Sequence, residues 1–117
     1  MSNDQNNRDT MILRKIITYC QQLEGTREMF GNSQEAFANS YIFQNACGMC
    51  VIQIGELAGK LSAGIQGEIC QIPWPLIRGM RNAFAHDYAA MDIKRTWKTL
   101  TDDIPALQAA CQKYLDK

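Results

Sequence analysis

The chain has 117 residues, of which 46% are hydrophobic and 21% are charged. These proportions fit one globular domain over residues 1–117 and exclude a disordered or collagen-like chain. Lysine plus arginine and aspartate plus glutamate both number 12, so net charge does not predict binding to nucleic acid or lipid. Residues 71–100 nevertheless have a local charge of +3, from five basic and two acidic side chains: Arg78, Arg81, Lys94, Arg95, Lys98, Asp87 and Asp92.

The first ten residues are polar and contain no apolar signal core, so we expect residues 1–8 to be disordered. The longest uncharged stretch runs from Ala36 to Gly55. It includes Ser40, Gln44 and Gln53, and it is therefore too polar to predict a membrane helix. We predict a cytoplasmic protein.

Five cysteines make an odd number in a chain without a secretion signal, which favours free thiols over a disulfide framework. Cys47 and Cys50 have C-x-x-C spacing, but they lie midway through a helical pattern, whereas a thioredoxin-like pair begins a helix after a strand. A zinc site needs two further ligands, and the chain has one histidine and no second close cysteine pair. We therefore predict buried packing thiols and no metal site.

Apolar residues recur at spacings of three and four along most of the chain, which is typical of amphipathic helices. The first predicted helix runs from Asp9 to Glu24 and ends at Gly25. Asn32 and Glu35 resemble a capping box. After them the spacing predicts one long helix of about 28 residues.

Beside the main apolar seam of this long helix runs a second one with small residues, which let another helix approach closely: Phe37, Tyr41, Gly48, Val51, Gly55 and Ala58. Residues 62–73 are predicted to be a loop, and a third helix runs from Pro75, in its first turn, to about Tyr88. Asp92 caps a fourth helix and Pro105 begins a last one. No segment alternates like a strand. The prediction is an all-α, four- to five-helix antiparallel bundle with one long central helix.

The predicted third helix has one apolar and one polar face. At 100° per residue, Arg78, Asn82 and His86 form a polar stripe beside Arg81; the opposite side consists of Ile77, Met80, Phe84 and Met91. Arginine has a planar fork of donors for phosphate oxygens, and a neutral imidazole accepts a hydroxyl proton near pH 7. The face suits a phosphate, although it also fits an ordinary solvated surface. One histidine leaves the general acid unassigned, and a two-fold axis would supply a second set of side chains.

Two other features have weaker functional interpretations. The segment from Gly55 to Lys60 resembles a phosphate-binding loop, but its spacing is wrong, Leu61 replaces the required serine or threonine, and the segment lies in a helix. No phosphate-loop function is predicted. Trp74 and Trp97 fit core or dimer-interface anchors better than base-stacking platforms.

The segment Arg81-Asn-Ala-Phe-Ala-His86-Asp-Tyr88 fits the Arg-x-x-x-x-His-x-Tyr motif of the HepT-like ribonuclease toxins, members of the HEPN superfamily. The resemblance extends to Ile54-Gly55-Glu56, Ile72-Pro73-Trp74 and Gly79-Met80-Arg81-Asn82, and to Asp92 and Trp97 after the motif. It covers the chain from Asp9 to about Leu107.

This resemblance implies a metal-independent endoribonuclease without a cofactor, which acts on RNA as the toxin of a toxin–antitoxin pair and works as a homodimer with facing motif helices. Arg81 and His86 would be the catalytic pair, with His86 moving protons and Arg81 stabilising charge on the phosphate. Asn82 would orient the phosphate or the imidazole, and Arg78 would add to the substrate-binding rim. The family's antitoxin is an MntA-type minimal nucleotidyltransferase that transfers AMP to the motif tyrosine, here Tyr88.

Two other functions stay open at this point. The protein could be a non-catalytic, nucleotide-binding partner of a nucleotidyltransferase, with the nucleotide at the same polar face, or a helical dimer that only scaffolds other proteins. Arg81 and His86 could also have structural roles, because helix C-termini favour basic side chains. Tyr88 borders the apolar face, where it could pack against the core.

Overall fold

Helices make up the fold of this protein, whose computed structural model describes residues 2–86 and 91–117. Those residues contain no strand, and the helices pack as the predicted all-α bundle. The elements are α1 (Ser2–Met29), α2 (Gln34–Ala38), α3 (Tyr41–Gly59), α4 (Ala63–Glu68), α5 (Trp74–His86), α6 (Ile93–Lys98), a π-helical turn (Thr99–Asp103) and α7 (Ile104–Leu115). Helix α3 packs against both α1 and α5, which agrees with the two neighbours that its two seams predict.

Helix α1 is longer at both ends than the predicted segment. It begins at Ser2, where disorder was expected over residues 1–8, and it continues through Gly25 to Met29. The backbone of Gly25 stays helical and does not take the left-handed conformation that would end the helix there. In the described part of the chain, no helix, α1 included, is both long enough and apolar enough to cross a membrane.

The end of α1 uses the residues that were predicted to start the next helix. Gly31 and Asn32 have the left-handed backbone, with φ of 88° and 50°, and the amide of Asn32 donates to the carbonyl of Arg27 at 2.7 Å. This hydrogen bond closes α1. Ser33 caps α2 instead, because its hydroxyl oxygen accepts from the amide of Ala36 at 3.0 Å.

The single long helix predicted after residue 35 is two helices, α2 and α3, separated at Asn39 and Ser40. Ser40 has an extended backbone with φ of −133°, and its hydroxyl oxygen accepts from the amide of Phe43 at 3.1 Å. The side chain of Gln44 donates to the carbonyl of Phe37 at 2.8 Å, which satisfies a carbonyl at the end of α2. These side chains provide the backbone with partners that a continuous helix would otherwise supply.

Residues 62–73, predicted to be a loop, contain the short helix α4. The hydroxyl oxygen of Ser62 accepts from the amide of Ile65 at 3.3 Å and caps the helix. The same hydroxyl donates to Oδ2 of Asp9 at 2.6 Å, while Oδ1 accepts from the Ser62 amide at 3.0 Å. Asp9 is 3% exposed. This buried carboxylate ties the start of α4 to α1.

The start of α5 is anchored by Trp74. Its indole N–H donates to the carbonyls of Ile69 and Gln66, at 3.0 and 3.1 Å, and the residue is 4% exposed. Trp74 is therefore a core anchor, as predicted. Pro75 lies in the first turn, as predicted, where an amide proton would have no intrahelical acceptor.

The C-terminal helical run is continuous from α6 through the π-helical turn to α7. Asp92 caps α6 as predicted, and its Oδ1 accepts from the amide of Arg95 at 3.1 Å. Within the turn, the amide of Ile104 donates to the carbonyl of Thr99. Pro105 lies in the first turn of α7, the predicted last helix. It has no amide proton to donate, but the helical run continues through it because the wider π-helical turn comes directly before it.

An aromatic cluster joins α6 to α2, α3 and the residue that follows α1. The rings of Phe37 and Phe43 pack edge to face at 5.2 Å, and Phe30 stacks on Phe43 at 4.7 Å. The ring of Trp97 lies 5.6 Å from that of Phe37 and 5.9 Å from that of Phe43. One side of Trp97 is thus a core contact, as predicted. Tyr41, predicted in the small-residue seam, is 74% exposed.

All five cysteines are free, as predicted, and four of them are buried while Cys70 is exposed. Burial raises the pKa of Cys20, Cys47 and Cys111 to about 12 and raises the pKa of Cys50 above its usual value. The buried thiols lie on α1, α3 and α7. They are neutral packing groups of the core.

Candidate active site

Helix α5 has one buried and one exposed face, as predicted. The buried face consists of Ile77, Met80 and Phe84, which are 1%, 8% and 4% exposed. Arg78 and Asn82 are exposed, and Arg81 is partly exposed. Burial of the apolar face fixes the rotation of α5, and this rotation places the three polar side chains toward solvent.

Helix α5 approaches α3 closely at Gly55. A Cβ atom on Gly55 would lie 3.1 Å from Cβ of Arg81 and 3.4 Å from the carbonyl oxygens of Arg78 and Ile77. One turn later, Cδ of Arg78 lies 3.8 Å from the position of a Cβ on Gly59. The close approach that the small-residue seam predicts is therefore present. It lays both arginine side chains against α3.

Arg81 has two polar neighbours. Its Nε forms an ion pair with Oε1 of Glu56, and its Nη1 donates to Oδ1 of Asn82 at 3.2 Å. The side chains of Arg81 and Glu56 are 39% and 47% exposed. Water therefore screens the pair, and its contribution to stability is below about 1 kcal/mol. The pair orients the guanidinium, whose other N–H groups have no partner among the described residues.

A groove of about 340 Å³ lies beside this ion pair, between α3 and α5. Its lining residues are Gly55, Glu56, Gly59, Lys60, Arg78 and Arg81. Three of these side chains are cationic and one is anionic, so the groove keeps a positive charge. The planar donor forks of the two arginines match the oxygens of a phosphate group.

His86 is the last residue of α5. Its backbone continues the helix, so its position follows Asn82 by four residues on the same stripe; its side chain is outside the described part of the structure. Tyr88 lies in residues 87–90, which are also outside it. The structure thus brings Arg78, Arg81 and Asn82 together, while the roles of His86 and Tyr88 stay predictions.

Glu56 and Lys60 are groove residues to which the sequence analysis assigned no role, although Glu56 belongs to the Ile54-Gly55-Glu56 segment of the family resemblance. Residues 55–59 are the last part of α3 and Lys60 is its C-cap, in agreement with the rejection of a phosphate loop. The available signal was the spacing of Gly55 and Gly59, because two small residues four apart lie on one helix face. A charged residue directly follows each glycine, and both charges line the groove.

Nothing in the described ranges groups three or more His, Cys, Asp or Glu side chains as a metal ion requires. Cys47 and Cys50, the pair with C-x-x-C spacing, are both buried. Burial raises the pKa of both thiols, which disfavours the thiolate form that binds zinc.

Known proteins that resemble the chain are ribonucleases by description. The sequence profile of the family described as Ribonuclease HepT-like matches residues 16–114. A candidate RNase from Caldanaerobacter subterraneus subsp. tengcongensis is 27% identical over 105 residues, which cover 90% of this chain and 92% of the relative. A candidate RNase from Methanocaldococcus jannaschii is 28% identical over 81 residues, which cover 69% and 67%. A candidate ribonuclease HepT from Thermococcus cleftensis is 33% identical over 67 residues, which cover 54% and 61%.

No solved structure gives a comparable match. The family profile spans most of the chain, and its range contains α3, α5 and every residue that lines the groove between them. The chain therefore belongs to the HepT-like ribonucleases, a family of RNA-cleaving hydrolases, as the resemblance of its Arg81–Tyr88 motif predicted.

Proposed function

We propose that the chain is a metal-independent endoribonuclease that acts as the toxin of a toxin–antitoxin pair, with Arg81 and His86 as its catalytic residues. The placement of Arg81 supports this most directly. Gly55 admits its backbone against α3, and Glu56 and Asn82 hold its guanidinium at the edge of a positive groove. His86, the one histidine of the chain, ends the same helix.

The cleavage step in this proposal needs no group beyond the RNA and two copies of the chain, one supplying the base and the other the acid. The ribose 2′-oxygen attacks the adjacent phosphorus, and the bond from phosphorus to the 5′-oxygen of the next nucleotide breaks. His86 accepts the proton of the 2′-hydroxyl or donates a proton to the leaving 5′-oxygen. Arg81 donates hydrogen bonds to the phosphate oxygens, whose negative charge grows in the transition state. Arg78 and Asn82 bind and orient the same phosphate.

A homodimer completes this site, because cleavage needs both a base and an acid and one chain has one histidine. Arg81 and His86 are about 140° apart around α5 and about 7.5 Å apart along it. A second copy related by a two-fold axis can bring its own Arg81 and His86 to the same site and so supply the missing acid or base. The exposed side of α3 supports this arrangement. Ile42 and Met49 are 56% and 60% exposed, and they share a stripe with Glu56 at intervals of seven residues. A second copy covering them lies next to the groove.

The antitoxin in this proposal is an MntA-type minimal nucleotidyltransferase. It transfers AMP from ATP to the hydroxyl of Tyr88 and releases pyrophosphate. Tyr88 is two residues from His86, so the adenylate adds a bulky negative group beside the catalytic residues and blocks RNA. Intact mass after incubation with such an enzyme and ATP tests this step. The wild type should gain one AMP, and a gain of the same mass by Tyr88→Phe would contradict it.

The main test compares purified wild type with His86→Ala on total cellular RNA in EDTA, followed on a denaturing gel. We expect cleavage by the wild type alone, because the variant lacks the group that moves protons. Circular dichroism and sedimentation of both proteins are the controls: the two should have the same helicity and both should be dimers.

Each other result has a definite meaning. Equal cleavage by both proteins would contradict the role of His86, and cleavage that disappears in EDTA would contradict metal independence. If neither folded dimer cleaves and the mass at Tyr88 is unmodified, the nuclease proposal fails. The alternative, a nucleotide-binding partner of a nucleotidyltransferase, then requires AMP binding that Arg81→Ala abolishes.

A further inference from the structure

Helix α6 has three cations that form no ion pair in the described part of the chain, although Asp92 lies at its N-terminus. Lys94, Arg95 and Lys98 are all exposed, and none of their side chains has a hydrogen bond or ion pair within residues 2–86 and 91–117. They lie within about 100° of one another around the helix. A short helix with three free cations on one side produces a local positive field, although the whole chain is neutral.

These cations border a groove of about 440 Å³ between α6 and the start of α2. The residues that line it are Gln34, Asp92, Lys94, Arg95, Trp97, Lys98 and Thr101. Trp97 is partly exposed, and its ring contacts Phe37 and Phe43 on the side away from solvent. Its indole N–H has no partner in the described residues. The groove therefore combines a rigidly held aromatic side chain with three cations.

We propose that this groove is a second RNA-binding subsite, which holds the backbone phosphates of a single strand on Lys94, Arg95 and Lys98 and a base or ribose against Trp97. The proposal rests on the proposed ribonuclease function and adds to it where the strand lies outside the cleavage site. Cations beside an aromatic ring are the combination that single-stranded nucleic acid uses. An acidic protein would use the cations without the ring.

The chain length between the two sites limits their separation. Six residue steps join His86, at the end of α5, to Asp92, at the start of α6, so the two Cα atoms are at most about 22 Å apart. One strand of a few nucleotides can therefore reach from the motif helix to the groove. The subsite lengthens the contact with RNA without adding a catalytic group.

Binding of a fluorescein-labelled RNA of about twelve nucleotides, followed by fluorescence anisotropy, tests the subsite. All proteins contain His86→Ala, so that RNA is bound and not cut. Adding Lys94→Ala, Arg95→Ala and Lys98→Ala together should weaken binding about tenfold or more and reduce the slope of log K against log salt by about 2, since each phosphate contact to a single strand contributes roughly 0.7. The three side chains are exposed and unpaired, so the thermal unfolding midpoint should not change.

The matched control replaces one exposed arginine and two exposed lysines elsewhere, Arg14, Lys113 and Lys117, by alanine in the same background. It changes the net charge equally and should bind RNA like the parent protein. Equal weakening in both triple variants would mean that net charge alone matters, and unchanged binding in the α6 variant would mean that the groove binds no RNA. Either result overturns the proposal. Two further results would also overturn it: displacement of the RNA by ATP at an equal concentration of phosphate, and binding of an acidic protein through the α6 cations when RNA does not bind.

A second measurement separates this subsite from the proposed nuclease function. With His86 intact, the α6 variant should show a raised KM for the long RNA and unchanged cleavage of a dinucleotide, which is too short to reach α6. If the wild type cleaves nothing but the α6 cations still govern binding, the nuclease proposal fails and the subsite stands. If the variant loses dinucleotide cleavage, the α6 cations act at the cleavage site and the separate subsite is wrong.

Discussion

Helix α3 packs against α1 on one side and α5 on the other, and the two contacts differ in the side chains that form them. Toward α1 it presents buried groups such as Cys50; the pKa of Cys20 on α1 is raised mainly by burial and then by its thiol neighbours Cys111 and Cys50. Toward α5 it presents Gly55, which has no side chain, and next to it Glu56, which pairs with Arg81 while both remain partly exposed. One side excludes charge and the other keeps charge in contact with water.

This difference shows that one helix can serve stability and chemistry along separate stripes. On the α1 side the free energy comes from apolar burial, so a lost atom reduces the stability of the fold. On the α5 side a screened ion pair contributes little to stability. Its effect is to fix a guanidinium in a groove. Substitutions on the two sides should therefore separate activity from stability.

We expect Glu56→Ala to show the largest difference between loss of activity and loss of stability. Its loss frees the guanidinium of Arg81 from the position set by the ion pair, and kcat for RNA cleavage should fall about tenfold to a hundredfold, as small misplacements of catalytic groups do. The free energy of unfolding should change by less than about 1 kcal/mol. Cleavage kinetics and urea unfolding on the same preparation measure both quantities.

Two further variants sharpen this test. Glu24→Ala, which removes an exposed carboxylate from α1, should leave kcat and stability unchanged. Glu56→Gln keeps a hydrogen-bond acceptor for Arg81 and should recover part of kcat. An unchanged kcat in Glu56→Ala would show that Glu56 does not position Arg81, and a large loss of stability would show that its role is structural.

A smaller change, in the free energy of unfolding alone, is expected when a glycine of α3 or α5 is replaced by alanine, and its sign should differ between the two helices. Gly55→Ala should destabilise the fold by about 1–2 kcal/mol, because the new Cβ meets Cβ of Arg81 at 3.1 Å and that atom cannot rotate away. Gly79→Ala, on α5 itself, has no atom within 4 Å of its new Cβ and should stabilise by up to about 1 kcal/mol. Urea midpoints of the two variants measure the difference, and equal shifts in both would contradict the close approach.

The smallest effect at neutral pH concerns the α1 side. Burial raises the pKa of Cys20 from 9.0 to about 12, so the unfolded chain loses this proton at lower pH than the folded chain. The thiol therefore stabilises the fold fully below pH 9, and this contribution falls as pH rises from 9 toward 12. Urea unfolding between pH 8 and 10.5 should show this slope in the wild type and in Cys70→Ala, which removes the exposed thiol. Cys20→Ala should have a shallower slope, and an unchanged one would contradict the assignment.

The features predictable from sequence were those that a local period controls. Burial of Ile77, Met80 and Phe84 follows from spacings of three and four within one helix, and this fixes the polar face without knowledge of the neighbours. Pro75 and Asp92 act within their own turns, and both predictions are confirmed. The motif itself was also visible in one continuous segment.

Features that depend on distant contacts were not predictable in the same way. The cap of α4 needs Asp9, which is 53 positions from Ser62. The seam of small residues indicated that some helix approaches Gly55, but only the fold shows that the approaching residue is Arg81. Glu56 gains its role from that same contact, so the Ile54-Gly55-Glu56 match marked this residue but could not show that its partner is Arg81.

The π-helical turn from Thr99 to Asp103 sets the angular phase between α6 and α7. Because it inserts one residue into a run that is otherwise α-helical, everything before it is rotated by about 100° relative to everything after it. Trp97 meets Phe37 and Phe43 at this rotation. Shortening the turn by a single residue would swing the indole and the α6 cations around the axis while Leu107 and Cys111 stayed buried. A one-residue deletion here would therefore redirect the α6 surface and also remove the packing of Trp97 and of the buried Leu100 on the core.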